Sequence, residues 1–315
     1  MDGSLWNSRR SFLRKSTFAS IGLIGLRQFG VADLPKDETR RLVIAHTNDM
    51  HSHIDPFPAD DPKFPGLGGM ADRATIIDQL RSTHGDILLL DAGDIFQGTP
   101  YFNFFGGSLE LELMSKMGYD CATMGNHDFD GGMDGFLRAK KKADFPFICS
   151  NYDFTDTLLE GQTISYRTIK KNGIRIGIFG LGVELQGLVD NRLCAGVKYL
   201  DPIDVAKEKS RFLKYEKKCD MIICLSHLGY SYDHDKVSDL VLANSVSDID
   251  LIIGGHTHTF LDSPTVIQNT PERNTYINQV GWAGVKLGVL QFELARERKI
   301  KDVAMTSMAV EHQLF

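Results

Sequence analysis

The stretch Asp250-Leu251-Ile252-Ile253-Gly254-Gly255-His256-Thr257-His258-Thr259-Phe260 reads as a buried strand that stops at two glycines and delivers two histidines. Leu251 to Ile253 is continuously apolar, the pattern of a strand covered on both faces. His256 and His258 stand two residues apart just past its end. They are either an incidental loop pair or two ligands of a metal centre, and the rest of the chain decides between these.

Four other apolar runs end in the same manner. Leu42 to Ala45 leads into His46-Thr47-Asn48-Asp49-Met50-His51, and Ile87 to Leu90 leads into Asp91-Ala92-Gly93-Asp94. Cys121 to Met124 is followed by Gly125-Asn126-His127-Asp128, and Met221 to Leu225 by Ser226-His227. In open α/β sheets, ligands bind outside the carboxyl ends of the strands, so the five ends are expected to meet at one site. The donors gathered there are Asp49, His51, Asp94, Asn126, His227, His256 and His258. One tetrahedral ion cannot use so many, whereas two ions sharing a carboxylate can. Asp94, following a glycine on a tight turn, is the expected bridge. A mixed nitrogen and oxygen set without thiolate suits zinc, manganese, iron or cobalt. His127 adjoins a ligand but is expected to stay off the metal, with Asp130 three residues on to hold it. Such a histidine can donate a proton or hydrogen bond to developing negative charge.

Between these runs lie helical patterns. Gly69 to Arg81 carries Met70, Ala74, Ile77 and Leu80 at helical spacing, and Leu109 to Met117 puts Leu111, Met114 and Met117 on one face. Asp201-Pro202 gives an N-cap and a first-turn proline. Phe145 to Cys149 and Ile174 to Phe179 read as strands. Gly288 to Leu294 and Val303 to Val310 read as half-exposed antiparallel strands, and Asp55 to Gly69 as a surface loop. The fold class is α/β with a β-rich last third.

The N-terminus differs in kind. Ser8-Arg9-Arg10-Ser11-Phe12-Leu13-Arg14-Lys15 is a basic block, followed by a mildly apolar stretch from Ser16 to Leu26 and the small residues Gly30-Val31-Ala32. Residues 1–32 thus read as an export signal of twin-arginine type, residues 33–40 as a short linker, and residues 41–315 as one catalytic domain. The expected location is periplasmic or extracellular. Removing the leader takes a net charge of +4 from a chain of net charge −6, leaving −10. Such a surface does not favour nucleic acid. No apolar run is long enough to span a membrane. Cys121, Cys149 and Cys224 read as core residues, with a bridge at Cys194 or Cys219 left open.

These blocks, in this order, resemble the calcineurin-like metallophosphoesterases over roughly residues 41–294. His46-Thr47-Asn48-Asp49, Asp91 through Pro100 (DAGDIFQGTP) and Gly125 through Asp130 (GNHDFD) look like the catalytic domain of the 5′-nucleotidase/UDP-sugar hydrolase group. The resemblance implies a four-layer α/β sandwich with two mixed sheets and a centre of two divalent ions. It assigns Asp49, His51, Asp94 and His258 to one ion, and Asp94, Asn126, His227 and His256 to the other. It makes His127 and Asp130 the catalytic pair. The implied reaction is in-line attack of a bridging hydroxide on the phosphorus of a small phosphate ester or nucleotide. A phosphodiesterase or UDP-sugar pyrophosphatase is the alternative on the same centre, as is a binding subunit with little activity of its own. That group usually carries a C-terminal nucleotide-specificity domain. The chain ends at Phe315, about where the catalytic domain should end, so that domain is expected to be absent or supplied by a separately encoded partner.

Overall fold

The structure, a computed structural model, describes residues 39–270, 273–295 and 300–311. The expected export signal lies outside the described residues. The strands of the first half are β1 (Thr39–Thr47), β2 (Leu88–Asp91), β3 (Cys121–Ala122), β4 (Tyr152–Asp153), β5 (Arg167–Lys171) and β6 (Ile174–Gly182). They are followed by β7 (Lys198–Tyr199), β8 (Met221–His227), β9 (Leu251–Gly254), β10 (Thr265–Thr270), β11 (Arg273–Asn278), β12 (Lys286–Ala295) and β13 (Ile300–Ala309). The helices are α1 (Met70–His84), α2 (Pro100–Phe105), α3 (Ser108–Met117), α4 (Gly132–Lys140), α5 (Pro202–Arg211) and α6 (Asp239–Ser245).

Two large sheets form, one in the order β13-β12-β1-β2-β3 and the other β10-β11-β9-β8-β6-β5. β1, β2 and β3 are parallel, as are β6, β8, β9 and β11, while the outer strands run antiparallel. Side-chain alternation along each strand builds the layers. Leu42, Ile44, Leu88 and Leu90 of one sheet meet Ile176, Ile178, Ile223, Leu225, Leu251 and Ile253 of the other. The intervening residues Val43, Ala45 and Leu89 face Ile77, Leu111, Met114 and Phe136 on helices. Ile222, Cys224 and Ile252 face Val205, Leu213, Leu242 and Ala243 in the same way. The result is the expected four-layer sandwich of helices, two mixed sheets and helices. Each such fully buried aliphatic side chain contributes roughly 1.5–3 kcal/mol, which is why the central strands are apolar on both faces.

The helices follow their sequence signals. The Asp201 carboxylate accepts from the Ile203 and Asp204 amides at 2.9 Å and starts α5. Leu111, Met114 and Met117 are buried on α3. Four details differ from expectation. α1 runs past Arg81 to His84 and stops at Gly85, where φ is 74°. Thr39 and Arg40, expected as linker, already pair with Ala295 and Leu294. β3 stops at Ala122, since the chain must turn away to present Asn126. Phe145 to Cys149 makes only isolated parallel bridges, Phe147 with Ala122 and Ile148 with Ile164, because β3 beside it is only two residues long. None of the five cysteines forms a disulfide. No helix among the described residues is long and apolar enough to cross a membrane.

Candidate metal centre

The parallel strands of both sheets end in step. Thr47 is level with Asp91 and Asp91 with Ala122, while Gly182 is level with His227 and Ser226 with Gly254. The loops leaving these ends carry all seven expected donors, and six of them fall into two groups. In each group the ligand atoms lie within 4.8 Å of one another: Asp49, His51 and His258 in one, Asp94, His227 and His256 in the other. His51 Nε2 is 3.0 Å from His258 Nε2, and His258 Nε2 is 3.4 Å from Asp49 Oδ1. His227 Nε2 is 3.0 Å from Asp94 Oδ2. The groups adjoin: Asp94 Oδ2 is also 3.9 Å from His51 Nε2, and Asp49 Oδ1 is 3.9 Å from His227 Nε2.

The local backbone is bent to make this possible. Asp49, His51, Asp94, His256 and His258 all have positive φ, between 49° and 71°. Only eleven non-glycine residues among the described residues do so. Left-handed backbone at a residue with a side chain costs energy and concentrates where surrounding structure imposes it, at functional sites above all. Glycine is required beside it: a Cβ on Gly125 would collide with the Asp94 carboxylate and come within 2.6 Å of the His227 ring.

Two histidines are held in one tautomer. His51 Nδ1 donates to the Gln97 carbonyl at 3.0 Å and His227 Nδ1 to the Ala92 carbonyl at 2.8 Å. In its neutral form each ring would therefore aim its Nε2 lone pair at the cluster, the arrangement typical of metal-ligating histidine. Asn126 Oδ1 is buried and has no hydrogen-bond partner, and His227 Nε2, likewise buried, has the Asp94 carboxylate before it, at 3.0 Å. An orphaned polar atom such as Asn126 Oδ1 is costly unless something fills the gap, and a divalent cation held by Asn126, His227 and Asp94 would fill it. Burial alone would lower the His227 pKa, but the Asp94 and Asp49 carboxylates outweigh it and raise it to about 10. Asp94 is opposed by burial yet held well below the usual carboxylate range by His227, His51 and His127. Burial and the His227 charge bring His256 down to about 4.

His127 lies beside this cluster, its ring centroid 5.2 Å from that of His51. Its backbone amide donates to Asp94 Oδ1 at 2.7 Å, and its Nδ1 pairs with Asp130 Oδ2 at 2.7 Å. The hydrogen bond to Asp130 raises its pKa, against burial and with help from Asp94. Nε2 is left to act as a donor.

Several supporting residues escaped the sequence reading. The buried Asp128 carboxylate accepts from the amides of Asp94, Ile95, Phe96 and Gly125 at 2.8–3.2 Å, tying two loops together. Asn48 donates to Asp49 Oδ2 at 2.6 Å. Gln279, fully buried, donates to the Gly255 carbonyl and accepts from the Thr259 amide, both at 2.5 Å, and from the Thr257 hydroxyl at 3.1 Å. It braces the loop of His256 and His258. Trp282 stacks on His258 at 5.6 Å with the rings 7° from parallel. Asp128 and Asn48 stood inside quoted motifs; Gln279 and Trp282 had no signal. His53 lies outside both groups and packs on Phe57 and Trp282. His46 is buried against Asn278.

Fold and donor set together define a protein of the metal-dependent phosphoesterase type. Residues 42–260 match the family model for calcineurin-like phosphoesterases, and the chain belongs to that family. It is 30% identical over 299 residues to the trifunctional nucleotide phosphoesterase protein YfkN of Bacillus subtilis (strain 168), covering 82% of this chain and 19% of that protein. It is 34% identical over 232 residues to the snake venom 5′-nucleotidase of Gloydius brevicauda, covering 70% of this chain and 37% of the relative. The crystal structure of a 5′-nucleotidase precursor from Thermus thermophilus superposes with a TM-score of 0.77 at 29% identity, over 85% of this chain and 54% of that one. The chain thus spans less than two thirds of the length of these relatives.

Proposed function

We propose that the protein is a 5′-nucleotidase-like phosphomonoesterase with two divalent ions. Asp49, His51 and His258 would hold one ion, Asn126, His227 and His256 the other, and Asp94 would serve both. The observation that carries this reading is the pair of adjoining donor groups, with Asn126 Oδ1 buried and unpartnered beside them. Bound there, manganese, zinc, iron or cobalt would supply Lewis-acid activation of water and neutralise phosphate charge. The chain's own residues do the rest. The carbonyls of Gln97 and Ala92 fix the rings of His51 and His227. Asp130 orients His127 and favours its charged form, in which Nε2 can donate a proton to the leaving oxygen or a hydrogen bond to the phosphate.

The test is hydrolysis of 5′-AMP, UDP-glucose, bis-p-nitrophenyl phosphate and p-nitrophenyl phosphate, with manganese-loaded, zinc-loaded and chelator-stripped protein. Metal-dependent turnover of the monoesters is expected. Turnover of the diester or UDP-glucose alone would overturn the monoesterase reading. We also infer an exported protein from the basic leader at Arg9-Arg10. Signal-dependent recovery from the periplasm tests that reading, and retention in the cytoplasm would end it. A separately encoded partner remains part of the proposal only if 5′-AMP is not preferred over simple esters by this chain alone.

A further inference from the structure

The histidines of the two donor groups are not all held in the same way. His51 and His227 each give Nδ1 to a backbone carbonyl. His258 has no such carbonyl among the described residues. Its partly exposed ring lies face to face with Trp282, 7° from parallel at 5.6 Å between centroids. Trp282 is in turn fixed by a backbone segment that crosses two ligand loops. The Gly281 amide donates to the Thr259 carbonyl at 2.9 Å, and the Ala283 amide to the Asp49 carbonyl at 2.7 Å. Asn48 Nδ2 donates to the Gly281 carbonyl at 2.6 Å, and the Val280 amide to Asn48 Oδ1 at 3.0 Å. The amides on either side of Trp282 are therefore tied to the loops of His258 and of Asp49. Ala283 holds φ at 56°, and a Cβ on Gly281 would come within 2.1 Å of the Phe260 ring. Backbone of this kind persists where the surrounding structure imposes it. His53, Phe57 and Phe64 brace the indole edge-on, at 5.4–6.2 Å between centroids.

We propose that Trp282 is a positioning residue for the ion of Asp49, His51 and His258, aiming His258 by stacking and raising the affinity of that group. This rests on the two-ion reading above. The face of an indole carries negative potential and attracts positive charge within about 6 Å. An imidazole whose Nε2 holds a divalent ion takes on part of that charge, and a free neutral imidazole does not. Stacking on Trp282 thus favours His258 with its ion over His258 without it. It also does for this ring what the carbonyls do for the other two.

Trp6→Phe leaves Trp282 as the sole tryptophan of the full chain, so its emission reports on its own surroundings. Metal-stripped protein is titrated with zinc, and bound zinc is counted by elemental analysis after equilibrium dialysis. The emission is expected to change as one of two equivalents fills and to stay constant for the other. Trp282→Phe, which keeps an aromatic face, should bind both equivalents within a few-fold of the parent. Trp282→Leu keeps apolar bulk without that face. It should weaken one equivalent by about 10–100-fold, the effect of losing a group that supports a metal ligand, and spare the other. Equal affinities in the two variants, or a loss spread over both equivalents, overturn the proposal. If the leucine variant does not fold, the emission titration decides alone. Two equivalents bound with Trp282 silent would overturn the proposal and leave the two-ion reading standing. A single equivalent that Trp282 senses would do the reverse, and no bound zinc would end both.

Discussion

The two donor groups use the same residue types but sit in different surroundings. The inner group of Asp94, His227 and His256 is anchored by His227, whose side chain is 0% exposed. The outer group of Asp49, His51 and His258 ends on His258, 39% exposed and backed by Trp282. Each group takes donors from both sheets, so neither exists until the sandwich closes. Both groups combine two buried members with one partly exposed histidine, so the contrast rests on His227 and His258. Losing the fully buried His227 is expected to disturb the fold, and losing His258 chiefly the ion it would hold.

This contrast can be broken by experiment. Asp94 stands between the groups, so Asp94→Asn is expected to reduce metal-dependent hydrolysis to background and the bound metal to one equivalent or fewer, read by elemental analysis. Two equivalents retained would show that Asp94 is not shared. His127→Ala should keep both ions and lose on the order of 10²–10⁴ in kcat, the range of a general acid–base group. An emptied site in that variant would make His127 a ligand instead. Gln279→Leu should weaken both groups together by about 10–100-fold in metal affinity, because its amide braces the loop of both His256 and His258. Weakening of only one group would restrict its role. The smallest effect separates the groups most directly. In metal-free protein, His227→Ala should cost about 1–3 kcal/mol through the unpaired Ala92 carbonyl and Asp94 carboxylate. His258→Ala should cost less, and thermal or urea unfolding of the two variants ranks them.

Some of this was legible in the sequence because it is local. Continuous apolar runs specify strands buried on both faces, and Leu251 to Ile253 and Met221 to Leu225 form them. Motifs next to such runs inherit the strand's position, so Asp49, Asp94, Asn126, His227 and His256 fell at strand ends as expected. A short segment such as Phe145 to Cys149 was misread because only a neighbouring strand could have completed its ladder.

What the sequence by itself determined is the set of elements and the chemical types at their ends. Apolar periodicity and turn residues act over a few positions and need no distant partner. What only the tertiary structure decided is which donors share a group, since Asp49 and His258 are 209 positions apart and meet only through sheet packing. It also decided the supports. The Gln97 and Ala92 carbonyls that aim the histidines belong to the backbone, which every residue has, and Gln279 acts through contacts that no spacing encodes. Hydrogen bonds of this kind are set by three-dimensional proximity, and side-chain identity along the chain does not announce them.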